Sequence, residues 1–167
     1  SGKINKSCSQ LRNNNLRIIA GNTNGLIGVF QNSEIYNNNL SGESASLILF
    51  SCDNNGGTNP CTGNIIHGNT IRSNRTDSIG ILLRTGAKNN SIYKTNITAN
   101  SSTSTAIYLT TGTRNNNFTD NIIFSRGVAI LLNGSTDTDG TTGMPVLNNS
   151  FINNTILPCS DNCRSDY

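Results

Sequence analysis

Apolar and polar residues follow one short pattern six times along the chain. In each copy two apolar residues lie five positions apart, and we call the first the anchor and the second its partner. In the stretch GNIIHGNTIRSN, residues 63–74, these are Ile66 and Ile71, with Asn64 and Asn69 around them. A separation of five is too long for one helical turn and has the wrong parity for a single alternating strand. The pattern therefore predicts two short strands separated by a corner.

The six copies share their internal spacing. The pairs of anchor and partner are Leu11/Leu16, Ile35/Leu40, Ile66/Ile71, Ile92/Ile97, Phe118/Ile123 and Phe151/Ile156. The residues three positions after the anchors are Asn14, Asn38, Asn69, Thr95, Asn121 and Asn154. The residues two positions before them are Ser9, Ser33, Asn64, Asn90, Asn116 and Asn149. The anchors are 24, 31, 26, 26 and 33 residues apart, so the repeat has insertions of irregular length.

A second apolar pair follows each of the first five copies, with its two members two positions apart. These pairs are Ile27/Val29, Leu47/Leu49, Ile81/Leu83, Ile107/Leu109 and Ile130/Leu132. Two is the strand period, which sends both side chains to one face, so one repeat holds two or three short strands and no helix. Such repeats predict a solenoid, in which each unit buries its apolar face only by stacking on its neighbours. An ordinary β-sandwich is the alternative, but it gives no reason for Asn at a fixed offset.

The repeated asparagines have a physical role at the corners of such a solenoid. Asn tolerates left-handed dihedrals better than other non-glycine residues, which suits a sharp turn. Side-chain amides stacked about 4.8 Å apart at the same corner also hydrogen-bond one another in a ladder. We therefore interpret GNIIHGNTI as strand, Asn corner, strand.

The motif N-x-[IF]-x-x-N-x-[IL] resembles the coil repeats of right-handed parallel β-helix proteins, the pectate-lyase-like superfamily. The resemblance covers residues 9–157 and implies an all-β, single-stranded right-handed parallel β-helix of about six coils. It leaves residues 1–8 as an N-terminal segment and residues 158–167 as a C-terminal tail. That superfamily includes polysaccharide lyases and hydrolases, phage tailspikes, adhesins and surface-layer components, so the resemblance selects no activity.

The two long insertions, residues 50–65 and 133–150, come at the same place in the repeat. Both lie between a second apolar pair and the next anchor. We expect them to leave the column at one corner and to project on one side.

Composition limits the class of protein. The chain has 30 Asn among 167 residues, 13% charged residues, one His and a net charge of +3. Its 12 basic residues are scattered without aromatic interleaving, which argues against a nucleic-acid partner. No apolar run reaches the length of a membrane span, and no secretory signal is visible at Ser1. We expect that any signal has already been removed.

Ten Asn-x-Ser/Thr sequons are candidate glycosylation sites of a secreted protein. They lie at Asn5, Asn39, Asn74, Asn89, Asn96, Asn100, Asn117, Asn133, Asn148 and Asn153. A chain this rich in Asn, Ser and Thr produces many sequons by chance, so their number carries less weight than it suggests. No proline blocks any of them, and they favour an extracellular or cell-surface location.

The five cysteines also indicate an oxidising compartment. Cys52 and Cys61 bracket the loop DNNGGTNP, and Cys159 and Cys163 bracket SDN. Neither pair has the spacing of a zinc site and no histidine is close to either, so a disulfide across each loop is predicted instead. Cys8 is left over. An odd cysteine in a secreted chain suggests an intermolecular bond or a free thiol.

No arrangement of residues predicts an active site. The nine acidic residues fall in different repeats or loops, whereas hydrolysis of a glycoside generally needs a pair of carboxylates at a set distance. The TDTDG stretch, residues 136–140, offers two aspartates, but a calcium loop normally supplies roughly six or more oxygens, so a polar loop tip is preferred. His67 is expected to be an outward surface residue without a partner acid. We predict no enzyme, no metal and no cofactor.

Two other classes of function remain. The threonine-rich stretches at residues 102–105 and 110–113 favour a binding module for glycan or ice, but they are confined to one repeat. A structural subunit needs only a stable column and a way of joining. The sequence therefore predicts an extracellular structural subunit that joins copies of itself head to tail into a filament, sheath or surface layer. The alternative is a secreted adhesin or glycan-binding module with surface glycans as partners.

Overall fold

The computed structural model describes residues 3–7, 10–18, 26–43, 46–50, 61–84, 86–134 and 145–157. Within these ranges the protein is all-β, with eighteen short strands and no helix. The strands form three parallel sheets of six strands each, so every sheet runs the length of the stack. The sequence prediction of an all-β chain built from stacked parallel strands is confirmed.

Consecutive strands belong to different sheets. Sheet 1 contains β1 (Lys3–Ser7), β4 (Leu26–Gln31), β7 (Ser46–Phe50), β10 (Ile79–Leu83), β13 (Thr105–Thr110) and β16 (Val128–Asn133). Sheet 2 contains β2 (Gln10–Arg12), β5 (Glu34–Tyr36), β8 (Ile65–His67), β11 (Ser91–Tyr93), β14 (Asn117–Thr119) and β17 (Ser150–Ile152). Sheet 3 contains β3 (Asn15–Ile18), β6 (Asn39–Gly42), β9 (Thr70–Ser73), β12 (Asn96–Ala99), β15 (Ile122–Ser125) and β18 (Thr155–Leu157).

Each group of three consecutive strands gives one strand to each sheet, and we call such a group a layer. Layer 1 holds β1 to β3, and layer 6 holds β16 to β18. Every strand of layers 2 to 5 pairs in parallel with the strand three before it and the strand three after it, so neighbouring layers are hydrogen-bonded in all three sheets. A layer alone has no partner for its backbone groups, which is why the repeats must stack.

The anchors and their partners form the register predicted from the sequence. In sheet 2 the anchor Ile66 is aligned with Ile35 in one neighbouring layer and with Ile92 in the other. The six anchors form one continuous column through sheet 2, and their six partners form a second through sheet 3. Most of these side chains are fully buried, and they make up much of the core.

In sheet 1 the prediction that the Leu47/Leu49 pair is equivalent to the Ile81/Leu83 pair is wrong. Ile48 and Phe50, not Leu47 and Leu49, are aligned with the Ile81/Leu83 pair. The Ile27/Val29 assignment fails in the same way, because it is Leu26 that is aligned with Ile48. The reason is that LILF, residues 47–50, is a continuous apolar run with two possible registers, and periodicity does not distinguish them. Leu47 is buried as well as Ile48, so both faces of this strand are covered.

The two long insertions leave the stack at one corner, as predicted. One connects β7 to β8 and the other connects β16 to β17, so each joins a strand of sheet 1 to the next strand of sheet 2. Most residues of both insertions lie outside the described ranges.

Candidate functional site

A column of side-chain amides occupies the corner between sheets 2 and 3, and we call it the 2/3 ladder. Its members are Asn14, Asn38, Asn69, Thr95, Asn121 and Asn154. The amide Nδ2 of Asn14 donates to Oδ1 of Asn38 across 3.0 Å, and Asn38 donates to Asn69 across 3.0 Å. The predicted ladder is therefore present. Its members from Asn38 to Asn121 are buried.

The 2/3 ladder has a direction. Oδ1 of Asn38 accepts the backbone N–H and the Nδ2 of Asn14, which lies in the preceding layer. Nδ2 of Asn38 donates to Asn69 in the following layer, and its second hydrogen is donated to the backbone oxygen of Leu11. Asn121 is arranged in the same way, since it accepts from the backbone N–H of Thr95 in the preceding layer and donates to Asn154 in the following one. The amides along the corner all point the same way.

Thr95 interrupts the 2/3 ladder. Nδ2 of Asn69 donates to the backbone oxygens of Ile35 and His67 instead of to a side chain in the following layer. The hydroxyl of Thr95 donates to the oxygen of Tyr93, two residues back in its own layer. Among the described contacts, no side-chain hydrogen bond joins layers 3 and 4 at this corner.

A second column, the 1/2 ladder, occupies the corner between sheets 1 and 2. Here the amide Nδ2 donates to Oδ1 of the next layer from Asn64 to Asn90, from Asn90 to Asn116 and from Asn116 to Asn149, each across 2.9 Å. Ser33 joins through its backbone N–H, which donates to Oδ1 of Asn64. This ladder is continuous across layers 3 and 4 and runs in the same direction as the first.

The left-handed residue at each corner is not the ladder asparagine, and this corrects the sequence interpretation. The residue immediately before it has the positive φ. At the 2/3 corner these residues are Asn13, Asn37, Gly68, Lys94, Asp120 and Asn153, and at the 1/2 corner they are Asn32, Gly63, Asn89, Asn115 and Asn148. The ladder amide must point inward to reach its neighbours, so the preceding residue makes the turn. The frequent Asn-Asn doublets are the sequence signal for this division of roles.

The interior of layer 6 is exposed. Ile156 is 53% exposed and Leu132 is 52% exposed, whereas Ile123 and Leu109, aligned with them in layer 5, are fully buried. At the other end Leu16 is 37% exposed. Both ends of the described column therefore present apolar side chains that are core residues in every middle layer.

The two ends also differ in their amide groups. In layer 6, Nδ2 of Asn154 donates to the backbone oxygen of Phe118, and no described residue accepts its second hydrogen. In layer 1, Nδ2 of Asn14 is fully used by Arg12 and Asn38, while no described residue donates to its Oδ1. The 2/3 ladder therefore ends in a donor at layer 6 and in an acceptor at layer 1.

On the outer face of sheet 2, three rings stack on one another. The ring centroids of Tyr36 and His67 are 5.0 Å apart and those of His67 and Tyr93 are 4.9 Å apart, with interplanar angles of 2° and 3°. Nε2 of His67 lies 2.9 Å from a carboxylate oxygen of Glu34, and the hydroxyl of Tyr36 accepts from Arg12 across 3.1 Å. His67 does point outward, but the expectation that it has no partner acid is wrong.

Most predicted glycosylation sites lie on the surface. The exposed sequon asparagines are Asn39, Asn74, Asn89, Asn96, Asn117, Asn133, Asn148 and Asn153. Asn100 is half-buried and donates its amide to Oδ1 of Asn74 across 2.6 Å. Asn5 belongs to β1, and its side chain is outside the described part of the structure. The surface positions leave glycosylation at these residues as a prediction.

The cysteine and aspartate predictions fall mostly outside the described ranges. Cys61 is buried, whereas its expected partner Cys52, the Cys159/Cys163 pair and Cys8 are not among the described residues. Residues 136–140 are also outside those ranges. Within the described part, no group of three or more His, Cys, Asp and Glu side chains is placed to hold a metal ion.

The chain has no match among known proteins in the three comparisons made. No family model matches it, no curated protein matches it and no solved structure matches it. In the described residues there is no helix of the length and hydropathy needed to cross a membrane.

Proposed function

We propose that this protein is an extracellular structural subunit, a right-handed parallel β-helix that assembles end to end. Each layer then corresponds to one coil, and the crossing from one parallel strand to the next in the same sheet takes the right-handed sense that such connections almost always have. The order of the strands, with every sheet repeating each third strand, supports this architecture.

The observation that carries the assembly proposal is the match between the two ends of the 2/3 ladder. A copy stacked on layer 6 places Oδ1 of its own Asn14 over the donor hydrogen of Asn154. The ladder then continues across the joint with the same geometry that links Asn14 to Asn38 inside the chain, at 3.0 Å. The strands of layers 6 and 1 likewise have no partner among the described residues on their outer edges, and such edges recruit further strands.

Apolar contacts support the same joint. Stacking continues the anchor column from Phe151 to the next copy's Leu11 and the partner column from Ile156 to the next copy's Leu16, as the register does inside the chain. Burial of these side chains stabilises the joint by roughly 25 cal/mol for each Å² of apolar surface removed from water. Contact between unlike ends is heterologous and does not close on itself by two-fold symmetry, so it propagates as a fibre.

A charge placed in the joint tests the proposal. We expect Ile156→Asp to raise the protein concentration needed for assembly at least tenfold, because the carboxylate would be buried without a partner. The matched control is Ile122→Asp, since Ile122 is 44% exposed but faces outward from the side of the column. Sedimentation velocity and negative-stain images of the full-length native protein, without reducing agent, measure the assembly.

Two outcomes would refute end-to-end assembly. One is a monomer at every concentration with the unsubstituted protein. The other is an equal effect of the two substitutions, because that would place the contact on the side of the column.

The alternative function, a secreted adhesin or glycan-binding module, is favoured by a different observation. The stacked rings of Tyr36, His67 and Tyr93 face outward on sheet 2 and have polar neighbours. Aromatic rings with a few polar groups beside them are typical of small-molecule sites. Specific binding on a glycan array by a protein that remains monomeric would favour this alternative over assembly.

A further inference from the structure

The ring stack on the outer face of sheet 2 ends at a small residue. The register places Tyr36, His67, Tyr93, Thr119 and Ile152 in one outward column, in successive layers. One face of Tyr93 is covered by His67, with the ring centroids 4.9 Å apart. Its other face is directed towards layer 5, where Thr119 is the next residue of the outward column. That side chain is too short to cover the outer part of the ring.

The space above the Thr119 side chain is consequently a slot with two walls. Tyr93 forms one wall, and Ile152, which is 50% exposed, forms the other. Two layer spacings separate the walls, so their backbones are about 9.6 Å apart. A six-membered ring placed midway lies about 4.8 Å from each wall, which is within the usual range for a stacked ring. Thr119 forms the floor of the slot.

Polar groups line both sides of the slot. Oγ1 of Thr119 donates to Oδ1 of Asn117 across 3.0 Å, which fixes the amide beside the floor. The neighbouring outward column of sheet 2 and the adjoining 2/3 corner supply the rest of the rim. The rim residues are Ser91, Asn117 and Ser150 on one side and Lys94, Asp120 and Asn153 on the other.

We propose that the slot between Tyr93 and Ile152 binds a pyranose ring of a glycan. A pyranose has a face of C–H bonds, whose small positive charge packs against the negative face of an aromatic ring. Its hydroxyl groups lie around the edge of the ring, where they meet the amide, hydroxyl and carboxylate groups of the rim. A wholly aromatic ligand would leave those polar groups without partners on burial, which is unfavourable.

The slot is independent of the end-to-end joint. Tyr93 and Thr119 lie on the side of the column in layers 4 and 5. Ile152 lies in layer 6 but belongs to the same outward column, so none of the three is part of the exposed interior of layer 6. A protein that assembles without binding sugar, or binds sugar without assembling, therefore separates the two proposals.

The experiment uses unglycosylated protein and two probes, methyl β-D-glucopyranoside and methyl β-D-galactopyranoside. Saturation-transfer NMR and the shifts of the Tyr93 ring protons measure binding, with an expected Kd of about 1 mM for a single ring. Thr119→Phe extends the ring stack into the slot and should weaken binding at least tenfold. Thr119→Ser keeps the slot open and should bind within about twofold of the unsubstituted protein.

Two tyrosine substitutions complete the test. Tyr93→Ala removes one wall and should weaken binding at least tenfold. Tyr108→Ala is the matched control, because Tyr108 is half-buried on sheet 1, where its hydroxyl accepts from Asn133. The proposal is overturned if neither glycoside perturbs Tyr93, or if the Thr119→Phe protein binds as well as the Thr119→Ser protein. The Thr119 pair decides the question even if Tyr93→Ala fails to fold.

Discussion

Asn38 donates its side-chain amide to Asn69 across 3.0 Å, and the same bond is absent one layer further on, between Asn69 and Thr95. The two steps share a corner, a register and a backbone geometry. They differ by a single side chain, because the short hydroxyl of Thr95 has one hydrogen, which it donates to the oxygen of Tyr93, whereas an amide has two hydrogens and an acceptor oxygen. The same corner thus has a side-chain hydrogen bond between layers 2 and 3 and none between layers 3 and 4, so the two can be compared directly.

Replacing Thr95 by Asn should complete the 2/3 ladder. The new Oδ1 would accept from Asn69 in place of the oxygen of His67, and the new Nδ2 would donate to Asn121; one net hydrogen bond made in a buried site contributes about 0.5–1.5 kcal/mol. Thr95→Val removes the hydroxyl without adding an amide and should destabilise the protein instead. Chemical denaturation of the two variants measures the difference, and a stability order with Val above Asn would contradict the prediction.

Lys94 is strained where its counterparts are not. Its φ is 48°, and the left-handed region is costly for a lysine by about 1–2 kcal/mol, but less so for Asn. We expect Lys94→Asn to raise the free energy of unfolding by about 1 kcal/mol. Lys88→Asn is the control, because Lys88 is a half-buried surface lysine that is not among the residues with positive φ. Equal changes in thermal stability would mean that backbone strain is not the cause.

Core packing should outweigh any single ladder residue. Ile92 is fully buried, so Ile92→Ala should cost about 2–5 kcal/mol through lost burial and the cavity left behind. Asn90→Ala should cost less, about 1–3 kcal/mol, because it leaves the Asn64 amide without its acceptor. The exposed Ile122→Ala should change stability by about 0.5 kcal/mol or less. Reversed losses for Ile92 and Asn90 in reversible unfolding would show that the ladder dominates.

The stacking of His67 should matter more than its contact with Glu34. The two side chains are 24% and 32% exposed, so water still reaches the pair, and such a pair at the protein surface contributes little. His67→Phe keeps a ring between Tyr36 and Tyr93 and should cost about 0.5 kcal/mol or less, whereas His67→Ala also loses two ring contacts of about 0.5–1.5 kcal/mol each. Thermal unfolding of the two variants tests this order. Similar losses would assign the effect to the Glu34 contact.

The sequence predicted the parts of this fold that depend on a fixed spacing. The anchors, their partners and the ladder asparagines recur at constant offsets, so their columns followed from the pattern alone. The register of β7 did not, because an unbroken apolar run satisfies two registers equally well. The roles of the two residues in each Asn-Asn doublet were not predicted, because an asparagine suits both the left-handed turn and the ladder.

The outward column of sheet 2 that contains the ring stack could have been predicted from the sequence. Alignment of the repeats by their anchors places Tyr36, His67, Tyr93, Thr119 and Ile152 directly after successive anchors. The contact between Glu34 and His67 was harder to find, because it is diagonal and joins residues 33 apart across an insertion. Distance along the chain hides a contact that the stacking of layers makes close.

The gap at Thr95 makes the column mechanically uneven. Between layers 3 and 4 the 1/2 corner is tied by the amide bond from Asn64 to Asn90, while the 2/3 corner has only its backbone bonds. A rod held more firmly along one edge than along another has a preferred bending direction. Under load this column should open first at Asn69 and Thr95, with the Asn64 edge acting as the hinge line. One substitution among the corner residues thus gives an otherwise regular rod a built-in place and direction to flex.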